Sequence, residues 1–118
     1  MIIGIGLDLI EIKRIEKAML KNKKFVDRIL TPGEKRQFEQ LTGKRQIEFL
    51  AGRFAAKEAY AKARGTGIGK LSWQQIDVKS KNGRPIIAST SDDEQIHITI
   101  THTKEIAAAQ VIITEIHS

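Results

Sequence analysis

The chain opens with a strict alternation of apolar residues and glycine or acid. One side of an extended chain would carry Ile3, Ile5 and Leu7, and the other Gly4, Gly6 and Asp8. Successive residues of a strand point to opposite faces, so this pattern predicts a strand over residues 2–8. The glycine face would allow close approach by another backbone or a ligand.

Helical periodicity follows. Ile12, Ile15 and Met19 recur three or four positions apart with basic residues between them, which predicts an amphipathic helix over about residues 10–20. The next apolar group, within residues 25–30, predicts a short helix or loop. Thr31-Pro32-Gly33-Glu34 then predicts a new helix with an N-terminal capping box, whose core side carries Phe38 and Leu41.

The longest helix is predicted over about residues 45–64, after the break at Thr42-Gly43, because this stretch is rich in alanine and straight-chain helix formers. Gly65 is expected to end it in a left-handed conformation. The glycines at 65, 67 and 69 predict a turn whose free backbone N–H groups form an anion cradle.

The second half of the chain has strand character. Short extended segments are expected at residues 75–79 and 84–88, joined by a turn at 80–83. Alternating or β-prone runs at 95–101 and 107–116 complete the pattern. The predicted fold class is α+β, with one long helix and shorter helices packed on a small antiparallel sheet.

The composition of the chain excludes several classes of function. The 118 residues fit one domain, spanning 1–118, with 41% hydrophobic and 29% charged residues. The chain has no cysteine, which excludes disulfides, thiolate metal sites and a thiol nucleophile. The apolar opening is too short for a signal-peptide core, and no run reaches membrane-spanning length, so we expect a cytoplasmic protein and no membrane role.

A formal charge of +6 predicts an anionic partner, which leaves nucleic acid, a phosphorylated small molecule and an acidic protein open. Only four phenylalanines, one tyrosine and one tryptophan are present, which is few for stacking on single-stranded nucleic acid. The basic run over residues 13–28 fits either a solvated helix face or a surface for an acidic partner, including a non-catalytic adaptor role.

Two carboxylates are the main chemical candidates. Asp8, with Glu11 three residues on, fits an ordinary helix N-cap, and Glu58 with Lys62 fits an ordinary surface pair one helical turn apart. If folding brings Asp8 and Glu58 together, the two hard oxygen ligands could instead hold Mg²⁺ with room for substrate phosphates. Spacing alone leaves both readings open.

The three histidines, at positions 97, 102 and 117, lack the spacing of a zinc site. His97 fits a surface or packed strand residue. His102, at the end of a predicted strand, could cap a turn or bind phosphate when protonated.

The residues described so far resemble a known family, the holo-acyl-carrier-protein synthases, which are the small bacterial type of 4′-phosphopantetheinyl transferase. The resemblance covers essentially the whole chain. It rests on Gly4-Ile5-Gly6-Leu7-Asp8 with Arg14, Phe54-Ala55-Ala56-Lys57-Glu58-Ala59 with Lys62-Ala63, Gly65-Thr66-Gly67, Gly83-Arg84-Pro85 and Thr101-His102-Thr103. Thr101 stands where the family usually has serine, and Trp73 has no assigned role.

The resemblance implies transfer of 4′-phosphopantetheine from coenzyme A to a serine of apo-acyl carrier protein, with release of adenosine 3′,5′-bisphosphate. It implies that Asp8 and Glu58 bind Mg²⁺ and that Lys62 binds the pyrophosphate, these three forming the catalytic group. Either Glu58 or a metal-bound water would accept the serine proton. The further coenzyme A contacts implied are Arg53 and His102 at the 3′-phosphate, and Gly65, Thr66, Lys81, Arg84, Pro85 and Thr103 elsewhere.

The same resemblance gives the basic first helix a partner, because acyl carrier proteins are small and acidic. The residues expected to dock the carrier protein are Arg14, Lys17, Lys21, Lys24 and Arg28. The resemblance also implies a homotrimer with sites shared between subunits. Arg53 and His102 are therefore expected to act across a subunit interface.

Overall fold

The computed structural model describes residues 1–116, so His117 lies outside the described residues. The elements in chain order are β1 (Ile2–Glu11), α1 (Ile12–Lys21), α2 (Phe25–Ile29), α3 (Pro32–Glu39), α4 (Lys44–Arg64), a 3₁₀ turn (Trp73–Gln75), β2 (Val78–Lys81), β3 (Arg84–Ile87), β4 (Glu94–His102) and β5 (Ile106–Glu115). The prediction of a long helix with shorter helices and antiparallel strands is confirmed.

The strands form two antiparallel sheets, one of three strands in the order β1-β5-β4 and one of two, β2-β3. β1 pairs with β5 as far as Glu11, opposite Ile106, and the Ile12 amide continues by donating to the Glu105 carbonyl. β1 is therefore longer than the predicted 2–8, since its partner strand continues to pair with it. The N-cap of α1 is Glu11, and the alternative that placed Asp8 there is wrong.

The glycine face of β1 packs directly on α4. A Cβ atom built on Gly4 would lie 2.1 Å from the Ala63 carbonyl oxygen, and one built on Gly6 would lie 1.8 Å from that of Ala59. No side chain fits at such distances, so the predicted close approach of a backbone to this face is confirmed. The opposite face of the strand leaves Ile5 more than half exposed, at 56%.

α3 begins as predicted, with a complete capping box between Thr31 and Glu34. Glu34 is also fully buried, and its Oε1 lies 2.6 Å from the ammonium of Lys57 on α4. Burial lowers the pKa of Lys57, and the hydrogen bond and charge of Glu34 oppose that effect. Lys57 is the largest fully buried side chain and holds α3 against α4.

The hairpin of β2 and β3 starts later than predicted. Residues 73–75 form a 3₁₀ turn, and the strand continues to Lys81, which pairs with Arg84. Asn82 and Gly83 form the two-residue turn between them with φ values of 53° and 76°. Two successive positive φ angles are typical of a two-residue hairpin turn, because they match the twist of the flanking strands. The turn is therefore two residues long and shorter than the predicted 80–83.

The main core lies between α4 and the inner face of the three-stranded sheet, where alanines of the helix meet Ala109, Val111 and Ile113 of β5. A second cluster joins α1, α2 and α3 to the first half of α4 around Ile15, Leu30 and Leu50. α4 is therefore shared by both clusters. No helix within residues 1–116 has the length and apolar character needed to cross a membrane.

Candidate active site

The packing of β1 on α4 determines where Asp8 lies. Gly4 is opposite Ala63 and Gly6 is opposite Ala59, so two residues along the strand match four along the helix. Two strand residues and four helix residues both span about 6–7 Å. Asp8, the next residue on this face, is thereby placed alongside the preceding turn of α4, which includes Glu58.

Lys62 joins the two elements. Its Nζ lies 3.0 Å from Oδ1 of Asp8 and 3.0 Å from the backbone carbonyl oxygen of Leu7. Lys62 therefore forms an ion pair with Asp8 of β1 and keeps an electrostatic interaction with Glu58, one helical turn earlier on α4. The Asp8 side chain is only 14% exposed, whereas Lys62 is 51% exposed, so the cation covers a largely enclosed carboxylate and remains open to solvent.

Glu58 completes the group. Burial raises the pKa of its carboxyl, the neighbouring Asp8 carboxylate raises it further, and Lys62 opposes both effects. This electrostatic effect agrees with the placement of Asp8 beside the turn of α4 that includes Glu58. The structure thus brings together Asp8, Glu58 and Lys62.

This donor set fits Mg²⁺. Two carboxylates that repel each other are hard oxygen ligands with a charge to neutralise, and Mg²⁺ in proteins is commonly held by one or two carboxylates together with substrate phosphates. Within residues 1–116, no three His, Cys, Asp or Glu side chains are grouped as a closed metal site. Asp8 and Glu58 would therefore hold the ion with positions left for other ligands.

The turn after α4 is not the free anion cradle that the glycines predict. Gly65 takes the expected left-handed conformation, with φ of 78°. Its N–H donates to the Lys62 carbonyl, and the N–H groups of Thr66 and Gly67 donate to that of Ala61. Because these three donors satisfy the last turn of the helix, the cradle prediction is wrong for them.

A second group of basic residues lies on another side of α4. Arg53 is buried, its guanidinium lies 4.4 Å from the centre of the Phe49 ring, and it donates to the Ser80 hydroxyl at 3.1 Å. Its Nε is buried and has no hydrogen-bond partner within residues 1–116. Five residues along a helix turn the direction by about 140°, so Arg53 and Glu58 point to different sides.

Arg53 and His102 share a cavity of about 220 Å³. Nδ1 of His102 lies 3.7 Å from a carboxylate oxygen of Glu48. Arg45 also lines this cavity, and we did not single it out from the sequence. Its spacing of four from Phe49 and eight from Arg53 places all three on one helix face, which is the signal that would have identified it.

The other predicted coenzyme A contacts lie at the surface. Lys81 and Arg84 are exposed and face each other across the β2-β3 turn, and Pro85 is half-buried beside them. The Thr103 hydroxyl accepts hydrogen bonds from the amides of Glu105 and Ile106, so it caps the turn between β4 and β5.

The predicted docking residues are all exposed and lie on α1, on α2 and in the turn between them, and we call this set the basic surface. Its members are Arg14, Lys17, Lys21, Lys24 and Arg28. The apolar side of α1 is committed to the core through Ile12 and Ile15, so the cations point outward.

The sequence matches the family description of the 4′-phosphopantetheinyl transferase superfamily over residues 4–114. The chain belongs to this family, and the protein is a phosphopantetheinyl transferase.

Individual relatives show which type of phosphopantetheinyl transferase the chain resembles. The chain is 60% identical over 115 residues to the holo-[acyl-carrier-protein] synthase of Geobacillus sp. (strain WCH70), a match covering 96% of this chain and 97% of that protein. It is 54% identical over 121 residues to that of Bacillus subtilis (strain 168), with both chains covered completely. These similarities place it among the holo-acyl-carrier-protein synthases.

Solved structures agree. A holo-(acyl-carrier-protein) synthase from Bacillus anthracis, in complex with CoA (3′,5′-ADP), matches with a TM-score of 0.88 and 51% identity over 96% of each chain. The synthase from Neisseria meningitidis matches with a TM-score of 0.87 and 33% identity, over 98% of this chain and all of that one. The α+β fold expected of a phosphopantetheinyl transferase is thereby confirmed.

Proposed function

We propose that this protein transfers 4′-phosphopantetheine from coenzyme A to a serine of apo-acyl carrier protein, releasing adenosine 3′,5′-bisphosphate. The observation that carries this proposal is the convergence of Asp8, Glu58 and Lys62 from β1 and α4. A cation and two carboxylates suit a pyrophosphate with a divalent metal ion. The names of the relatives supply the acceptor, and the Bacillus anthracis complex supplies the donor.

In the proposed reaction, the serine oxygen forms a bond to the β-phosphorus while the bond from that phosphorus to the bridging oxygen breaks. Lys62 stabilises the charge that develops on the pyrophosphate oxygens. Mg²⁺, held by Asp8 and Glu58, supplies charge neutralisation when bound. Catalysis then consists largely of alignment, and no covalent enzyme intermediate is needed.

The serine proton needs an acceptor. Glu58 is a carboxylate of this site whose pKa, in the metal-free protein, is raised by burial and by the neighbouring Asp8. A carboxylate has two oxygens, so one can bind the metal while the other accepts the proton. We assign this role to Glu58.

The assembly we propose is a homotrimer in the cytoplasm, each chain forming a single transferase domain over 1–118. Arg53 of α4 and His102 of β4 line a cavity whose lining does not include Asp8, Glu58 or Lys62, which supports a site completed by a second subunit. The outer face of β1 offers an apolar contact, because Ile5, Leu7 and Leu9 are each more than half exposed. Arg53 and His102 of one subunit would bind the 3′-phosphate of coenzyme A held by another.

Around that nucleotide, Gly65, Thr66, Lys81, Arg84, Pro85 and Thr103 remain our proposed contacts. The exposed pair Lys81 and Arg84 provides the positive charge a phosphate needs. The basic surface would dock the acidic carrier protein, and neither a nucleic acid nor a membrane has a part in this scheme.

The deciding experiment is the intact mass of an apo-acyl carrier protein after incubation with this protein, coenzyme A and Mg²⁺. The expected result is a gain of one phosphopantetheine that disappears with EDTA. An unchanged mass with several carrier proteins, while the enzyme is folded, would overturn the proposal. Tight, salt-sensitive and metal-independent RNA binding would then favour the alternative that this protein is a basic nucleic-acid-binding module.

A further inference from the structure

Four successive backbone carbonyls at the end of α2 are hydrogen-bonded by two side chains from distant parts of the chain. The Gln74 amide nitrogen lies 3.0 Å from the carbonyl of Asp27, 3.1 Å from that of Arg28 and 2.8 Å from that of Leu30. The Lys57 ammonium lies 2.6 Å from the remaining carbonyl, that of Ile29. We call these two side chains the α2 clamp.

α2 has only five residues, and a helix of that length is not stable without contacts to the rest of the protein. The last four carbonyls of any helix have no partner inside it, and here they amount to most of the element. The positive charge of Lys57 also complements the negative end of the helix dipole. The clamp is therefore a polar restraint on the end of α2, in addition to the ion pair of Asp27 with Lys35 on α3.

Both parts of the clamp are themselves fixed. Lys57 is fully buried and also bonds Glu34 and the Trp73 carbonyl, at 2.6 and 3.0 Å. Gln74 sits in the middle of the 3₁₀ turn that the Trp73 carbonyl belongs to. Lys57 immediately precedes Glu58 in α4, so the clamp ties α2 to the helix that carries the candidate site.

The position of α2 matters because it carries part of the basic surface. Arg28 lies within the helix and Lys24 is its N-cap residue, both exposed. A carrier protein bound to these cations would depend on the position of α2 for its fit to the basic surface. A shift of α2 would therefore weaken binding of the carrier protein.

We propose that Gln74 and Lys57 are positioning residues for the acidic carrier protein, acting by fixing α2 and its cations relative to α4. The inference rests on the proposed function, since it takes Lys24 and Arg28 as carrier contacts. Neither clamp residue would touch coenzyme A or the reacting atoms. The clamp should therefore affect recognition of the carrier protein alone.

The test replaces Gln74 with methionine in the full chain, which keeps the length of the side chain and removes its N–H donors. Gln74 is exposed, so this variant should fold. We expect KM for the apo-carrier protein to rise roughly threefold to tenfold, the range for losing a hydrogen bond, with kcat and KM for coenzyme A unchanged. Amide exchange should accelerate in residues 25–30 and not in α4.

A matched control is Gln46→Met. The Gln46 amide also donates to a backbone carbonyl, that of Phe38 at 3.0 Å, but it lies outside the basic surface. KM for the carrier protein should be unchanged in this variant. An equal rise in both variants would show a general loss of packing and overturn the proposal.

A double-mutant cycle with Arg28→Ala separates positioning from a merely structural role. If Gln74 acts through Arg28, the effect of Gln74→Met on KM should largely vanish when Arg28 is absent. Additive effects, or an unchanged KM in Gln74→Met, would overturn the inference. If the unsubstituted enzyme transfers no phosphopantetheine, both the proposed function and the role of the clamp in carrier recognition are wrong. The rate of amide exchange in residues 25–30 would then still show whether the clamp stabilises α2.

Discussion

The Lys62 ammonium lies 3.0 Å from Oδ1 of Asp8, although 54 residues separate them in the chain. This contact places a cation of α4 on a carboxylate of β1. Glu58, one helical turn before Lys62, responds to both charges through its pKa. The three groups therefore depend on one another, and a change in any one alters the electrostatics of the other two.

Replacing Lys62 with glutamine should remove charge stabilisation and moderately destabilise the fold. We expect kcat/KM to fall by about 10²–10³, the usual cost of losing one preorganised donor in an active site. The free energy of unfolding should fall by roughly 1–3 kcal/mol, because the Asp8 carboxylate is only 14% exposed and loses its charged hydrogen-bond partner. Steady-state kinetics and urea denaturation measure the two effects.

A matched control is Arg64→Gln, which breaks another ion pair of α4, that of Arg64 with Glu94 at 2.7 Å. It should leave the rate of transfer close to that of the unsubstituted enzyme. If Lys62→Gln retained full activity, the assignment of Lys62 to the pyrophosphate would be wrong.

Gly6→Ala should destabilise the whole fold. The added Cβ would lie 1.8 Å from the Ala59 carbonyl oxygen, so β1 would have to move away from α4. Overpacking of this kind costs about 1–3 kcal/mol, and the rigid backbone on the other side favours the upper end. Urea denaturation measures the loss. Gly33→Ala is the control, because a Cβ there would lie 3.6 Å from the nearest atom, Nη2 of Arg36.

The part of this architecture that could be predicted from sequence is the part with local causes. The capping box of Thr31 and Glu34 and the left-handed Gly65 depend on residues a few positions apart, and both appear as predicted. The alternation of Gly4 and Gly6 with apolar residues likewise predicted a strand that another backbone could approach.

The rest has non-local causes. The length of β1 follows from its pairing with β5, and the buried pair of Glu34 and Lys57 joins residues 23 positions apart. No spacing rule connects such residues. For the same reason, spacing alone left Asp8 open between a helix cap and a metal ligand, and the extension of β1 to Glu11 by pairing with β5 excludes the cap.

Glu58→Gln should stabilise the metal-free protein near neutral pH while abolishing transfer. The pKa of Glu58 is raised in the folded state by burial and by Asp8, so its ionised form costs stability. That cost appears as pH rises through the raised pKa, and it is absent below the unfolded pKa of about 4.3. Glutamine resembles the protonated form and avoids the cost.

The urea midpoints of the variant and the unsubstituted protein, each measured with EDTA at about pH 4 and about pH 8, show how their stabilities differ. The variant should be more stable than the unsubstituted protein only at the higher pH. Saturating Mg²⁺ should stabilise the unsubstituted protein and leave the variant nearly unchanged. Equal stabilisation of both proteins by Mg²⁺ would exclude Glu58 as a ligand.

Ile5→Lys should dissociate the proposed trimer. Ile5 is 56% exposed on the outer face of β1, so a lysine is tolerated in the monomer but buries a charge in an apolar interface. Sedimentation equilibrium should show monomers. Transfer should be lost although Asp8 is intact, because in the proposed trimer the 3′-phosphate contacts would come from a neighbouring subunit. Monomers with full activity would contradict the shared site.

Lys17→Glu tests the basic surface through its dependence on salt. Reversing one exposed charge should raise KM for the acidic carrier protein and leave KM for coenzyme A unchanged, because the proposed docking surface would steer only the protein partner. The effect should shrink as ionic strength rises, since the screening length falls from about 10 Å at 0.1 M to about 3 Å at 1 M. Lys70→Glu makes the same change in net charge outside the surface, so it separates local docking from the overall field. An equal rise in KM for both variants would mean that net charge, rather than α1 and α2, recruits the carrier protein.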